Sequence, residues 1–365
     1  MLKKEQTELF LKLVRLGTGN DDSISIIGSK LPGIGDWTAI QTFANDHGLL
    51  AIVLDGLDKN ADLTSTLPIQ QKLEWIGESL QNYEQRYELY RNAHAEMAKF
   101  YNEHGYKMMV LKGYACSLNW PRPEHRPCGD IDIWLFGKQK EADEALIKEK
   151  CIKIDGSHHH HTVFDWNGFM VENHYDFFNV NHHKSNVELE SIIKDLANDD
   201  GYFVEIQGER VYLPSPNLQA LHLLNHGMMH FAAEGITLRQ ILDWGFHAKV
   251  HRDEIDWVWL EKMMKKFGRY RLYCVFNAIC VEDLGFDPII FHGVQFDAFL
   301  RNRVLEDILS PEYPTEVPEE LTKRVLYKFR RWYGNAWKHE LCYNETMWSA
   351  FWSGVWNHLL KPSSI

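Results

Sequence analysis

The spacing of apolar positions divides the chain into three stretches of different period. In 1–95 the period is helical. Phe10, Leu11, Val14 and Leu16 line one face of a first helix, and Trp37, Ile40, Phe43 and Ala44 line a second that starts at Asp36-Trp37 and stops at Gly48. Residues 49–57 continue apolar. Over 70–105, Trp75, Ile76, Leu80, Tyr83, Tyr87, Tyr90, Ala95, Met97 and Tyr101 form an amphipathic stripe that ends at Gly105, a natural helix stop. Such a stripe reads as core packing rather than as a cofactor box.

In 96–215 the period shortens to two. Strands are predicted over 108–111 and 130–136, followed by a helix across the sheet over 138–150. Strands over 157–166 and 169–175 flank Asn167-Gly168, a strong two-residue hairpin signal. A helix over 181–200 and a second hairpin over 202–206 and 210–213, around Gln207-Gly208, follow, and Pro214-Ser215-Pro216 closes the region. Helical periodicity then returns over 218–231, 237–249, 255–266, 272–281 and 296–308, with a Pro-rich loop at 311–318 and an aromatic, basic end over 319–360. The pattern predicts an α+β protein with an N-terminal helical region 1–95, an α/β core 96–215 and a C-terminal helical region 216–365.

The chemistry gathers around Lys112-Gly113 and Asp130-Ile131-Asp132. On a strand, alternate side chains share a face, so Asp130 and Asp132 project together while Ile131 and Ile133 project oppositely. Two carboxylates ~4 Å apart repel by roughly 4 kcal/mol at an effective dielectric near 20. A cation offsets that repulsion, and paired carboxylates on a hard divalent ion serve phosphoryl and nucleotidyl transfer. A solvated strand face is the competing reading. Lys112-Gly113 sits at a strand-to-helix junction, where glycine permits close approach and a helix N-terminus favours anions. Glu172 offers a third carboxylate and shares a strand face with Met170 and His174. Arg122 and Arg126 precede the second strand, and their forks suit phosphate, although surface arginines are as common. His222, His226 and His230 line one helix face, for phosphate, metal or packing. Arg239 and Asp243, one turn apart, read first as an intrahelical ion pair. Of the run His158–His161, only half can face one way on a strand, which argues against a dedicated metal site.

These residues resemble the nucleotidyltransferase superfamily of the DNA polymerase β type. More narrowly, the pattern KG…R…GDIDI, a V-E-x-H strand and a His-rich helix are similar to an uncharacterised bacterial nucleotidyltransferase-like family. The flanks DWTAIQTFANDHGLLAIVLDGL and LQALHLLNHGMMHFAAEGITLRQILDW extend the likeness to most of the chain. The resemblance implies a polymerase β-like mixed sheet flanked by helices, with Glu172 beside the D-x-D strand. It implies Asp130, Asp132 and Glu172 as catalytic metal ligands for Mg²⁺ or Mn²⁺. It assigns Lys112, Gly113, Arg126, His174, His226 and His230 to the nucleotide. The reaction implied moves an NMP from a nucleoside triphosphate to a hydroxyl of an unidentified acceptor, releasing pyrophosphate. Gly113-Tyr114 stands where the superfamily has Gly-Ser, and the interval to Asp130 is longer. An inactive nucleotide- or ligand-binding module, or an interaction protein, on the same fold is therefore the alternative.

Composition narrows the partners. A length of 365 residues suits two or three domains, and 13 Trp, 15 Tyr and 19 Phe favour large buried clusters. The net charge of −12 argues against nucleic acid as the acceptor. The basic residues Lys323, Arg324, Lys328, Arg330 and Arg331, interleaved with Tyr327, Phe329, Trp332 and Tyr333, accordingly read as a solvated helix covering the core before they read as a nucleic-acid grip. The six cysteines form no C-x-x-C pair, which suits reduced thiols. With no signal peptide and no apolar run long enough to span a bilayer, a cytoplasmic, membrane-free protein is expected.

Overall fold

The computed structural model describes residues 2–20, 34–158, 160–178, 180, 184–292, 297–313 and 318–349. Six strands, β1 (Met109–Val110), β2 (Ile131–Trp134), β3 (His161–Trp166), β4 (Phe169–His174), β5 (Phe203–Ile206) and β6 (Glu209–Tyr212), form one mixed sheet in the order β3-β4-β2-β1-β6-β5. β2 runs antiparallel to β1 and parallel to β4, while β1 runs parallel to β6. The outer pairs β3-β4 and β5-β6 are antiparallel hairpins. Their turns place Asn167 and Gly168, and Gln207 and Gly208, at positive φ, as a two-residue turn matched to strand twist requires. Beyond β2, Phe136 at φ 51° and Gly137 at φ 82° turn the chain out of the sheet, so the strand is shorter than its apolar run.

Alternation along the strands gives the sheet two different faces. Met108, Val110, Ile131, Ile133, Val171 and Val211 pack with Ala93, Met97 and Phe100 of the helix Arg86–Glu103 and with Ala142 and Leu146 of the helix Gln139–Lys150. Met109, Leu111, Trp134 and Tyr212 belong to the opposite, larger cluster. That cluster joins the helices Lys4–Thr18 and Leu50–Asp58 to Pro216–Ala233 and Leu238–Val250. Helices from the two ends of the chain therefore share one core. The site lies on this face.

Several expectations need correction. The long stripe over 70–105 is interrupted: helices Ile69–Ser79 and Arg86–Glu103 are joined by a π-helical turn, Leu80–Gln85. Widening the turn by one residue rotates the following face by ~100°. Trp75 turns to the N-terminal helices and donates to the Leu50 carbonyl, while Ile76 and Leu80 are 40% and 46% exposed rather than core. The helix expected from 218 starts two residues earlier: Ser215 caps Pro216–Ala233, with proline at the first helical position. The helix Leu321–Gly334 leaves Leu326, Phe329 and Tyr333 exposed, so it covers less core than its pattern suggests. His159, the start of the helix expected over 181–200, Phe296, part of the 311–318 loop and the tail over 350–360 lie outside the described residues.

His94 is completely buried beneath the sheet, its Nδ1–H donating to the Tyr90 carbonyl at 2.7 Å. Burial lowers its pKa to about 4, against the smaller raising effect of that hydrogen bond. The unfolded chain takes up this proton near pH 6.5, whereas the folded chain resists until about pH 4. Stability present above pH 6.5 is thus lost as pH falls toward 4, at up to about 1.4 kcal/mol per pH unit from this group. Urea denaturation at pH 7, 6 and 5 measures the slope, and His94→Asn is expected to flatten it by up to that amount.

Candidate functional site

The parallel pairing of β2 with β4 sets Asp132 directly opposite Glu172 and Trp134 opposite His174. Asp130, one residue ahead of β2, projects from the same side and is half-buried. This face forms one wall of a cavity of about 840 Å³, and the helices Pro216–Ala233 and Leu238–Val250 form the other. Lys112, Gly113, Arg126, Asp130, Asp132, Glu172, His174, His226 and His230 all line it. The structure thus gathers the residues that the resemblance assigns to metal and nucleotide, from segments more than 100 positions apart, but not His222 or Arg122.

Burial makes the carboxylates expensive. Asp132 is only 2% exposed, and desolvation by itself would raise its pKa. The Lys112 ammonium at 2.7 Å and His174 Nε2 at 3.0 Å outweigh that and hold Asp132 well below the usual carboxylate range. His174 shows the reciprocal effect. Burial disfavours its charged form, but hydrogen bonds to Asp132 and Glu172 prevail and raise its pKa to about 9. Its Nδ1–H also donates to the Asp176 carbonyl at 3.2 Å, so both ring nitrogens act as donors. Glu172 is lowered overall: desolvation raises it most, and the His174 hydrogen bond together with the charges of His161 and His174 outweighs that. Asp130 has no such contact and is raised, by desolvation first and by Asp132 second.

Lys112 also reaches His226 Nε2 at 3.1 Å. An ammonium only donates, so His226 accepts here. Its pKa lies well below the ordinary imidazole value, through burial first and Lys112 second. His230 Nε2 lies 3.1 Å from the same His226 nitrogen, and His230 Nδ1 meets Glu234 at the cavity edge. His222 does not join them: it is buried against Phe177 and Phe178 and does not line the cavity.

The arginines are arranged differently from the sequence reading. Asp243 does not pair with Arg239. It takes a two-point contact from Arg126, Nε at 2.8 Å and Nη2 at 3.0 Å, and a third hydrogen bond from Trp120 Nε1 at 2.9 Å. Arg126 thereby ties the loop ahead of β2 to the helix Leu238–Val250, and both of its fork bonds are committed. Arg122 lies away from the cavity, among Asp55, Glu84 and Glu124. Arg239 lines the cavity, and its buried Nε has no hydrogen-bond partner among the described residues. Helical spacing alone pointed to the wrong partner, because the competing arginine lies far away in sequence.

Gly113 begins a single helical turn, Gly113–Ser117, at φ 44°. A Cβ there would lie 2.0 Å from Tyr90 Oη, which donates to the Asp130 carbonyl at 2.7 Å. Glycine is therefore required by the tyrosine that holds the start of β2. In the sequence Tyr90 is one member of an apolar helical stripe, and no signal there marks its role here.

The donor set suits a cation. Ligand atoms of Asp132, Glu172 and His174 lie within 4.8 Å of one another, with the Asp130 carboxylate on the same wall. Oxygen donors of this kind match hard divalent ions. A mixed sheet flanked by helices, with paired carboxylates facing a cavity, is the class of site that nucleotidyl transfer uses. The family described as uncharacterised nucleotidyltransferase matches residues 35–284, and the chain belongs to that family. No curated protein and no solved structure matches the chain. Among the described residues, no helix is long and apolar enough to cross a membrane.

Gly113→Ala is expected to destabilise the protein by about 1–3 kcal/mol through overpacking, and Tyr90→Phe, which removes the clashing oxygen, to relieve part of that cost in the double variant. Denaturant midpoints of the four proteins complete the cycle. Asp243→Ala leaves Arg126 charged, buried and unpaired, and is expected to cost about 3–5 kcal/mol. The midpoint in urea would show it.

Proposed function

We propose that this protein is a metal-dependent nucleotidyltransferase of the polymerase β type that moves an NMP from a nucleoside triphosphate to an acceptor hydroxyl. The observation that carries this reading is the in-register pair Asp132 and Glu172 on the cavity wall, with Asp130 beside it. Asp130, Asp132 and Glu172 would hold Mg²⁺ or Mn²⁺, which supplies charge neutralisation at the attacking and leaving oxygens. The acceptor oxygen forms its bond to the α-phosphorus, the bond from that phosphorus to the bridging oxygen breaks, and pyrophosphate leaves. Glu172, kept ionised by His174, accepts the hydroxyl proton. Lys112 has three donors, and Asp132 and His226 engage two, which leaves one for a phosphate oxygen. Arg239 takes the phosphate-clamping role first expected of Arg126, whose fork is spent on Asp243. His226 and His230 face the triphosphate from the helix side.

A second reading, a nucleotide-binding module without turnover, draws support from Asp132, which already carries two cationic partners in Lys112 and His174. Calorimetric titration of each nucleoside triphosphate, with and without Mg²⁺, comes first. Binding that requires the metal and disappears in Asp132→Asn supports the site, and no binding at millimolar nucleotide sinks it. Pyrophosphate release across an acceptor panel then separates enzyme from binding module. In the enzyme, Asp130→Asn and Asp132→Asn each abolish release with the fold intact. Arg239→Ala is expected to weaken triphosphate binding at least ~10-fold, the loss of about 1.4 kcal/mol that one charge-assisted contact represents. Unchanged affinity in that variant would return the clamp to another residue.

A further inference from the structure

Two histidines that the reaction above does not use, His160 and His161, adjoin the carboxylates beside His174. The antiparallel register of β3 with β4 places His161 directly opposite His174, and His160 precedes β3 on the same rim of the cavity. Ligand atoms of His160, His161 and His174 lie within 4.8 Å of one another. Glu172 Oε2 lies 3.4 Å from His174 Nε2 and 3.7 Å from His161 Nδ1. Four ligands at 2.0–2.1 Å around a tetrahedral zinc stand about 3.4 Å apart, so these two edges are close to what such an ion would impose.

Two of the three imidazoles, His160 and His161, are also poorly satisfied as they stand. His161 is 6% exposed, and the buried Nδ1 atoms of His160 and His161 have no hydrogen-bond partner among the described residues. A buried nitrogen left without a partner costs about 1–3 kcal/mol. Ring packing, with His160 on His161 at 4.3 Å and His161 on His174 at 5.2 Å, does not remove that cost. His174 already has a use for its nitrogens in the carboxylates it serves, but the two unpartnered Nδ1 atoms beside it do not, and a metal would give them one. His158 differs: it is exposed and sits beside Asp155, outside the group.

We propose that His160, His161 and His174, with Glu172 Oε2, form a site for a divalent transition ion of the Zn²⁺ type, adjacent to the Asp130–Asp132 end of the cavity. Imidazole donors select borderline ions such as zinc, while hard magnesium prefers the carboxylates, so donor chemistry separates the two ends. Glu172 and His174 stand at the boundary between them. The inference rests on the histidine cluster and survives if the transfer reaction does not.

The test uses the full chain, stripped with chelator and titrated with Zn²⁺ by calorimetry, with Co²⁺ as a spectroscopic probe. One equivalent of Zn²⁺ should bind, and Co²⁺ should give the visible absorption of a low-symmetry nitrogen site. His160→Ala and His161→Gln should each weaken Zn²⁺ at least tenfold and abolish the Co²⁺ bands. His161→Gln retains side-chain bulk, and circular dichroism checks that each variant is folded. Surface variant His104→Ala and site variant Asp130→Asn should bind Zn²⁺ as the parent does. Because Asp130→Asn is expected to abolish pyrophosphate release, the two proposals fail separately. Zn²⁺ affinity unchanged in both folded histidine variants, or no stoichiometric Zn²⁺ in the parent, overturns the site.

Discussion

The parallel register of β2 against β4 is the constraint on which the rest of this structure depends. It sets two acidic side chains, Asp132 and Glu172, side by side on a buried sheet face. At the usual spacing between strands their mutual repulsion is about 3–4 kcal/mol at an effective dielectric near 20, before the cost of desolvation. Nothing in an apolar core would offset that. The chain brings charge to them from separate elements: Lys112 from the end of β1 and His174 from β4 itself. Lys112 in turn draws in His226 from a helix of the C-terminal half. The polar centre thereby helps to fasten sheet to helices, and the cavity is the space left between them.

A second fastening works beside the first. Arg126, Trp120 and Asp243 close a buried network between the loop that leads into β2 and the helix Leu238–Val250. Its effect is positional. The loop fixes where Asp130 enters the sheet, Tyr90 fixes the same point from the other side by holding the Asp130 carbonyl, and Gly113 leaves room for that tyrosine. With Arg126 committed to structure, the guanidinium nitrogen at the cavity that lacks a partner among the described residues is Arg239 Nε. Residues of one type, close in sequence reading, thus divide into a structural and an available member according to what lies across the cavity.

The third feature is a gradient of donor chemistry along the cavity wall. Carboxylate oxygens dominate near Asp130 and imidazole nitrogens near His160 and His161, with His174 common to both and Glu172 beside it. Adjacent strands explain it. β2 contributes the aspartates, β3 the histidine side, and β4, between β2 and β3 in the sheet, meets both.

Local physics in the sequence determined a good deal. Period-two alternation around Asp130-Ile131-Asp132 and Phe169–His174 gave the strands and the faces of their side chains, Asn167-Gly168 gave the hairpin turn, and four-residue spacing put His226 and His230 on one helix face. These features depend only on neighbours in the chain. What the tertiary structure alone decided was pairing. That β2 lies parallel to β4, that Asp243 answers Arg126 and not Arg239, and that His222 turns to Phe177 while His226 turns to Lys112, each depends on a partner far away in sequence. Periodicity specifies the direction in which a side chain points. Which charge waits there to meet it is fixed only when distant segments pack and buried groups must find partners.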